Sequence, residues 1–382
     1  MAPGQRSPTT AGRASSTPSP GRAHAAAPPA RKSEAAVRVL AGMSLQQRVG
    51  QLLMVGAKAT GPAVATSRAI NSYHVGNVIL TGRSSLGVGA TARVTAGLRA
   101  QATAEATRGT DLFVATDQEG GQVQVLSGPG FSSIPNALTQ GGWSASTLRA
   151  RAAGWGSQLR SAGVNVNLAP VTDTVPRAAA QSNRPIGFYQ REFGFTPELV
   201  GPHAAAFVAG MAASGVTATP KHFPGLGRVR GNTDTSAAVT DSITTRTDAN
   251  LGPFRRAVAV GSPFVMMSSA FYSKLDPSNP ACFSEAIVTG ILRGDLGFNG
   301  VVISDDLGSS KQVARWSAGS RATQFIAAGG DLVLTADPAM APAMASALVA
   351  EANRSAAFRR QVDVSALRVL RAKAAAGLLP AA

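Results

Sequence analysis

Val301-Val302-Ile303-Ser304-Asp305-Asp306-Leu307 sets three β-branched apolar residues directly against two adjacent carboxylates. Such a run reads as a strand buried on both faces, the pattern of a parallel sheet covered by helices. Its C-terminal tip is where an α/β enzyme presents chemistry, because the βα loops line the open face there. Ionised carboxylates cost desolvation energy at such a place and rarely sit there for packing alone. The alternative is that Asp305 or Asp306 caps the helix that follows.

The same pattern recurs along the chain. A capped helix within residues 43–55 runs into a first strand, and strands are expected at 75–80, 112–117, 164–173, 216–222, 264–269, 301–305 and 332–337. Ala- and Leu-rich helical stretches, for example 197–213, 314–328 and 340–353, fill the gaps. Eight such units predict an α/β fold, a (β/α)₈ barrel of the TIM type in a single domain over residues 35–382. A doubly wound open sheet is the competing fold. Asp117, Asp173, Lys221 with His222, and Asp305 all fall at strand ends. A closed barrel gathers those ends around one mouth, whereas an open sheet spreads them along a line, so the barrel is favoured.

Bulk composition narrows the class. The 382 residues are 44% hydrophobic, enough for a sizeable core, and no apolar run has the length of a transmembrane segment. The single cysteine, Cys282, excludes an internal disulfide framework and a Cys-based zinc site. The formal net charge of +16 favours anionic partners, and an anionic cell-wall surface is one. The basic residues are scattered arginines without a nucleic-acid-binding signature, so no nucleic acid partner is expected and a solvated basic surface is the plainer reading. Residues 1–34, rich in Pro, Ala, Ser and Thr, are expected to form a disordered leader. That leader resembles the tether of an exported protein but holds neither the apolar core of a signal peptide nor a lipobox cysteine, which leaves the compartment open between cell envelope and cytoplasm. A monomer is the expected state.

Asp117-Gln118-Glu119-Gly120-Gly121 follows the third strand, and its glycines permit a tight turn or close approach to a ligand. Lys221-His222-Phe223-Pro224-Gly225 follows the fifth, and a polar loop runs on to Asn232-Thr233-Asp234-Thr235-Ser236. Lys221 and His222 can donate hydrogen bonds to sugar hydroxyls; His222 can equally be a satisfied core histidine. No phosphate loop, no metal-ligand spacing and no serine-hydrolase elbow occurs, so neither metal nor cofactor is expected. Several carboxylates at one barrel mouth then point to glycoside hydrolysis, which in its retaining form needs two carboxyl groups roughly 5 Å apart.

The motifs D-Q-E-G-G at 117–121, K-H-F-P-G at 221–225 and S-D-D-L at 304–307 occur in this order and together resemble glycoside hydrolase family 3, specifically its single-barrel β-N-acetylhexosaminidases. The resemblance covers residues 43–372. Ile186-Gly187 through Arg191-Glu192-Phe193-Gly194 is similar to a further family segment, and residues 226–235 look closest to the actinobacterial envelope-lipoprotein branch. The resemblance implies a catalytic nucleophile at Asp305. It places Asp117, Arg191, Lys221 and His222 around a terminal N-acetylglucosamine. It also implies small carbohydrate substrates: peptidoglycan fragments (muropeptides) or chitooligosaccharides. Asp306 would support the loop.

Departures from the family pattern bear on mechanism. Better-known members carry D-S-H in the loop after strand five, with the histidine as acid/base; this chain has Asp234-Thr235-Ser236, and its four histidines, His24, His74, His203 and His222, lie elsewhere. Gln122, Val125 and Ser269 also replace usual arginines and a histidine. Losing a general acid costs about 10²–10⁴-fold in rate. Asp234 is the candidate replacement, provided burial raises its pKa; a turn-making role for it has equal standing. Three activities follow: a retaining β-N-acetylglucosaminidase, a weakened barrel that binds muropeptide-like sugars, and a β-glycoside phosphorylase.

Overall fold

The computed structural model describes residues 29–380, with Met1, Ala2 and Gly4. Eight parallel strands form one sheet: β1 (Leu53–Lys58), β2 (Asn77–Thr81), β3 (Phe113–Thr116), β4 (Val166–Asn167), β5 (Thr217–Ala218), β6 (Phe264–Met267), β7 (Val301–Asp306) and β8 (Leu332–Thr335). Their order is β5-β4-β3-β2-β1-β8-β7-β6, so that sequence neighbours pair except β5 with β6, and β1 pairs with β8. The two ends meet through a parallel bridge between Phe223 and Met267, with the Phe223 amide donating to Met266 O at 2.8 Å and the Ser268 amide to Phe223 O at 2.8 Å. The sheet therefore curls into a barrel, as the convergence of polar strand ends requires.

β4 and β5 are shorter than their sequence implies. Pro170 and Pro220 have no N–H to give a ladder, so regular pairing stops before them. It resumes only as a bridge between Val171 and Lys221.

Alternation along the strands sorts side chains into two layers. Phe113, Ala115, Val166, Leu168, Val301 and Ile303 belong to a fully buried inner cluster, with Phe113 and Phe264 edge to face at 5.3 Å. Val114, Val265, Val302 and Val333 belong to the outer cluster, against the helices. Those helices include Pro197–Ala213, Ala318–Ala327 and Ala341–Arg354, close to the expected spans. Before β1 the helix Leu45–Gln51 starts at a capping box, in which Ser44 accepts from the Gln47 amide and Gln47 reaches back to the Ser44 amide.

Helix Pro29–Ala41 begins inside the expected leader and packs on the C-terminal helix Ala356–Ala375, burying Ala36 against Leu370 and Ala374. Residues 3 and 5–28 of that leader lie outside the described residues. At the bottom of the barrel, Lys373 is fully buried and donates to Gln51 Oε1 at 2.7 Å and Gly76 O at 2.8 Å. Burial pushes its pKa down to about 7. Among the described residues no helix is long and apolar enough to cross a membrane.

Candidate active site

Asp305 continues the inward face begun by Val301 and Ile303 and is half-buried at the barrel mouth. A one-residue slip of β7 against β8 falls between Ile303 and Asp306, the kind of irregularity that re-aims a side chain at a strand end. Asp305 Oδ1 accepts from the Asp306 amide at 2.9 Å. Asp306 turns to the backbone instead. Its Oδ1 accepts from Gly308 N at 2.8 Å and Ala336 N at 3.1 Å, tying β7 to β8. Arg321, buried on the next helix, donates to Leu307 O at 2.7 Å and Gly308 O at 2.8 Å and holds the same turn from below.

Charges from three loops meet in one network. Lys221 Nζ lies 2.6 Å from Asp117 Oδ1 and 2.6 Å from Glu119 Oε1. Arg191 grips Glu119 with two parallel bonds, Nε to Oε2 at 2.9 Å and Nη2 to Oε1 at 2.8 Å, and donates to Pro185 O at 2.7 Å. Burial opposes ionisation of Glu119, but Arg191 and Lys221 outweigh it and hold the carboxyl at about 2. Burial likewise opposes the charge of Lys221, and Asp117 with Glu119 reverse the effect, so its pKa rises.

His222 is held from its inner side. Its Nδ1 lies 2.7 Å from Asp173 Oδ2, its amide donates to Asp173 Oδ1 at 3.1 Å, and the Leu226 amide donates to that same oxygen at 2.8 Å. Asp173 is completely buried at the end of the β4 segment. The pairing fixes the imidazole orientation and assigns the Nδ1 proton to the bond with Asp173. It leaves Nε2 without a protein partner among the described residues.

Asp234 sits on the exposed span of its loop, yet its carboxyl titrates at about 6. The surrounding protein mass is the first cause and the charge of Asp305 the second; His222 and Arg191 pull the other way. The loop thus brings Asp234 into the electrostatic field of Asp305. Of the six residues expected at the site, Asp117, Lys221 and Arg191 join through Glu119, while Asp234 lies within reach of the charges of Asp305, His222 and Arg191.

Three further carboxylates belong to this region. Glu119 lies two residues after Asp117 in a hairpin of Gln118–Gly120 with Val123–Gln124, and that spacing puts both acids on one side. Asp173 was visible as a strand-end acid, but its bond to His222 was not. Glu192, next to Arg191, is fully buried with neither carboxyl oxygen bonded to another residue. Burial and the Asp173 charge raise its pKa to about 7 against its own amide and Arg191. A hollow of about 440 Å³ on the outside of the barrel, lined by Tyr73, His74, Val349 and neighbours, contains no carboxylate and cannot match this chemistry.

A barrel with ionised and protonatable carboxyl groups around a mouth rich in fixed hydrogen-bond donors defines a carbohydrate-cleaving enzyme. The profile of the glycosyl hydrolase family 3 N-terminal domain matches residues 44–372, and the chain belongs to this family. Among solved structures it is similar to a β-N-acetylhexosaminidase from Beutenbergia cavernae DSM 12333, with 53% identity and a TM-score of 0.86 over 87% of this chain and 99% of that one. It also resembles a family 3 β-N-acetylglucosaminidase from Paenibacillus sp. str. FPU-7, with 31% identity and a TM-score of 0.78 over 89% of this chain and 64% of that one. A beta-hexosaminidase of Stenotrophomonas maltophilia (strain R551-3) is 35% identical over 234 residues, 59% of this chain and 67% of the relative.

Proposed function

We propose that the chain is a retaining exo-β-N-acetylglucosaminidase that removes terminal N-acetylglucosamine from peptidoglycan fragments or chitooligosaccharides through a covalent glycosyl-Asp305 intermediate. The observation that carries this reading is the place of Asp305, half-buried at the tip of β7 beside the network that joins Asp117, Lys221, Glu119 and Arg191; the pKa of Asp234, pushed up to about 6 by the surrounding protein and by the Asp305 charge, supports it as the acid. The names of the similar enzymes support the substrate class.

In the first step an Asp305 oxygen attacks the anomeric carbon while protonated Asp234 gives its proton to the leaving oxygen. Asp305 loses its negative charge when the glycosyl ester forms. The part of the rise in the Asp234 pKa that comes from the Asp305 charge then disappears, its pKa falls, and it becomes the base that takes a proton from the attacking water. Lys221, Arg191 and His222 supply donors, and Asp117 an acceptor, for the hydroxyls and acetamido group of the sugar. Glu119 stays ionised and keeps the two cations aligned.

A fluorinated N-acetylglucosamine-type inactivator should label Asp305, and Asp305→Ala should lose turnover. Labelling of a different residue, or undiminished turnover by Asp305→Ala, overturns the assignment. Hydrolysis of an activated aryl N-acetylglucosaminide measured beside the natural disaccharide separates an enzyme from a sugar-binding scaffold, which would turn over neither. Release of sugar 1-phosphate that grows with added phosphate would move the reaction class to phosphorolysis.

A further inference from the structure

Asp234's carboxyl has no hydrogen-bond partner among the described residues, so nothing but its backbone fixes where the acid stands. That backbone is exposed along its middle, where Asp234, Thr235, Ala237 and Ala238 open to solvent, and buried at both ends, Thr233 and Val239. Both ends are held by one short turn, Lys311–Val313, with Ser310 just before it. Gln312 N donates to Thr233 O at 3.1 Å. Its side chain closes on the other end, accepting from Val239 N at 2.9 Å through Oε1 and donating to Val239 O at 3.1 Å through Nε2. Ser310 Oγ donates to Thr233 O at 2.8 Å, and Lys311 N to Asp234 O at 3.3 Å.

We propose that Gln312 is a positioning residue for the general acid, clamping both ends of the Asp234 loop to the chain that leaves the nucleophile strand. The turn begins six residues after Asp305, and Arg321 braces the chain on either side of it through bonds to Leu307 O, Gly308 O and Trp316 O. Nucleophile and acid are thereby fixed to one short piece of backbone. Gln312 is 3% exposed and reaches neither Asp305 nor the sugar side of the mouth by any hydrogen bond, so it acts through the loop alone. The inference rests on Asp234 being the acid, and the test keeps the two apart.

Gln312→Met preserves side-chain length and packing while removing both side-chain bonds; Ser310→Ala, which removes one bond, is the second variant should the first fail to fold. Hydrogen exchange of residues 231–241 reads the clamp. Hydrolysis of a dinitrophenyl N-acetylglucosaminide against the unactivated disaccharide reads proton donation, because a good leaving group needs none. Gln312→Met should speed exchange in the loop, and its loss on the disaccharide should exceed its loss on the dinitrophenyl substrate by about tenfold, part of the ~10²–10⁴-fold that a general acid supplies. Asp234→Asn should show the same selectivity more steeply. Unchanged exchange overturns the clamp. Faster exchange with equal losses on both substrates, while Asp234→Asn discriminates, overturns the coupling. Equal losses in Asp234→Asn itself overturn the acid assignment and the positioning role with it, and exchange then decides the clamp alone.

Discussion

Replacing Glu119 by Gln removes the one anion that touches both Arg191 and Lys221. The carboxyl ionises at about 2 rather than near 4.5, and at roughly 1.4 kcal/mol per pH unit that drop corresponds to a stabilisation of about 3 kcal/mol in the charged form. Burial is complete, so solvent screening does not discount it. Because the folded-state value is depressed, the contribution is fully present above about pH 4.5 and is lost as pH falls towards 2. The variant lacks it throughout, leaving the buried Lys221 with Asp117 alone and Arg191 without its ion pair. Unfolding free energy from urea titration at pH 7 should fall by about 3 kcal/mol, within the range for breaking a buried pair. The gap between variant and wild type should narrow as the pH approaches 3. A variant within about 1 kcal/mol of wild type at pH 7, or a gap that does not depend on pH, refutes the reasoning.

Asp234→Asn should remove the titration near pH 6 from the alkaline limb of kcat/KM for the disaccharide, which reports the free enzyme, since the acid must be protonated; a limb that stays in place assigns it to another group. Glu192→Gln should gain stability relative to wild type by about 1.4 kcal/mol per pH unit between roughly pH 5 and 7, because a carboxyl whose folded pKa is raised costs stability as pH rises through that window; a constant difference in urea titrations defeats this. Lys373, depressed to about 7, should make wild-type stability climb between about pH 7 and 10, and Lys373→Met should lack that climb in the same measurement.

The barrel was legible because each buried strand is a short apolar run and several end in a charge, a contrast that survives without any knowledge of contacts. The pairings were not. Asp173 and His222 are 49 positions apart, and Glu119 and Arg191 are 72, and neither distance leaves a period in the chain. Glu119 stood in a quoted motif, but its two glycine neighbours drew the reading, and only closure of the barrel brings the cations against it. Gln312 carries no signal at all, since a buried amide clamping a loop looks like any other polar residue. The start of the first helix was blurred for another reason: residues 29–34 share the composition of the leader, and they become helical where the neighbouring turns bury Ala36 on the C-terminal helix.

The seam between β5 and β6 has no regular ladder, because Pro220 interrupts it, and a few backbone bonds from residues 220–223 to 266–268 carry the closure. Lys221 and His222 stand on that join. Any partial opening of the hoop there would scatter the groups proposed to hold the sugar while the rest of the staves stayed paired. On gentle heating, catalysis should therefore fail at a lower temperature than helical circular dichroism, and a tightly bound sugar should bring the two temperatures together by acting as a rivet across the gap.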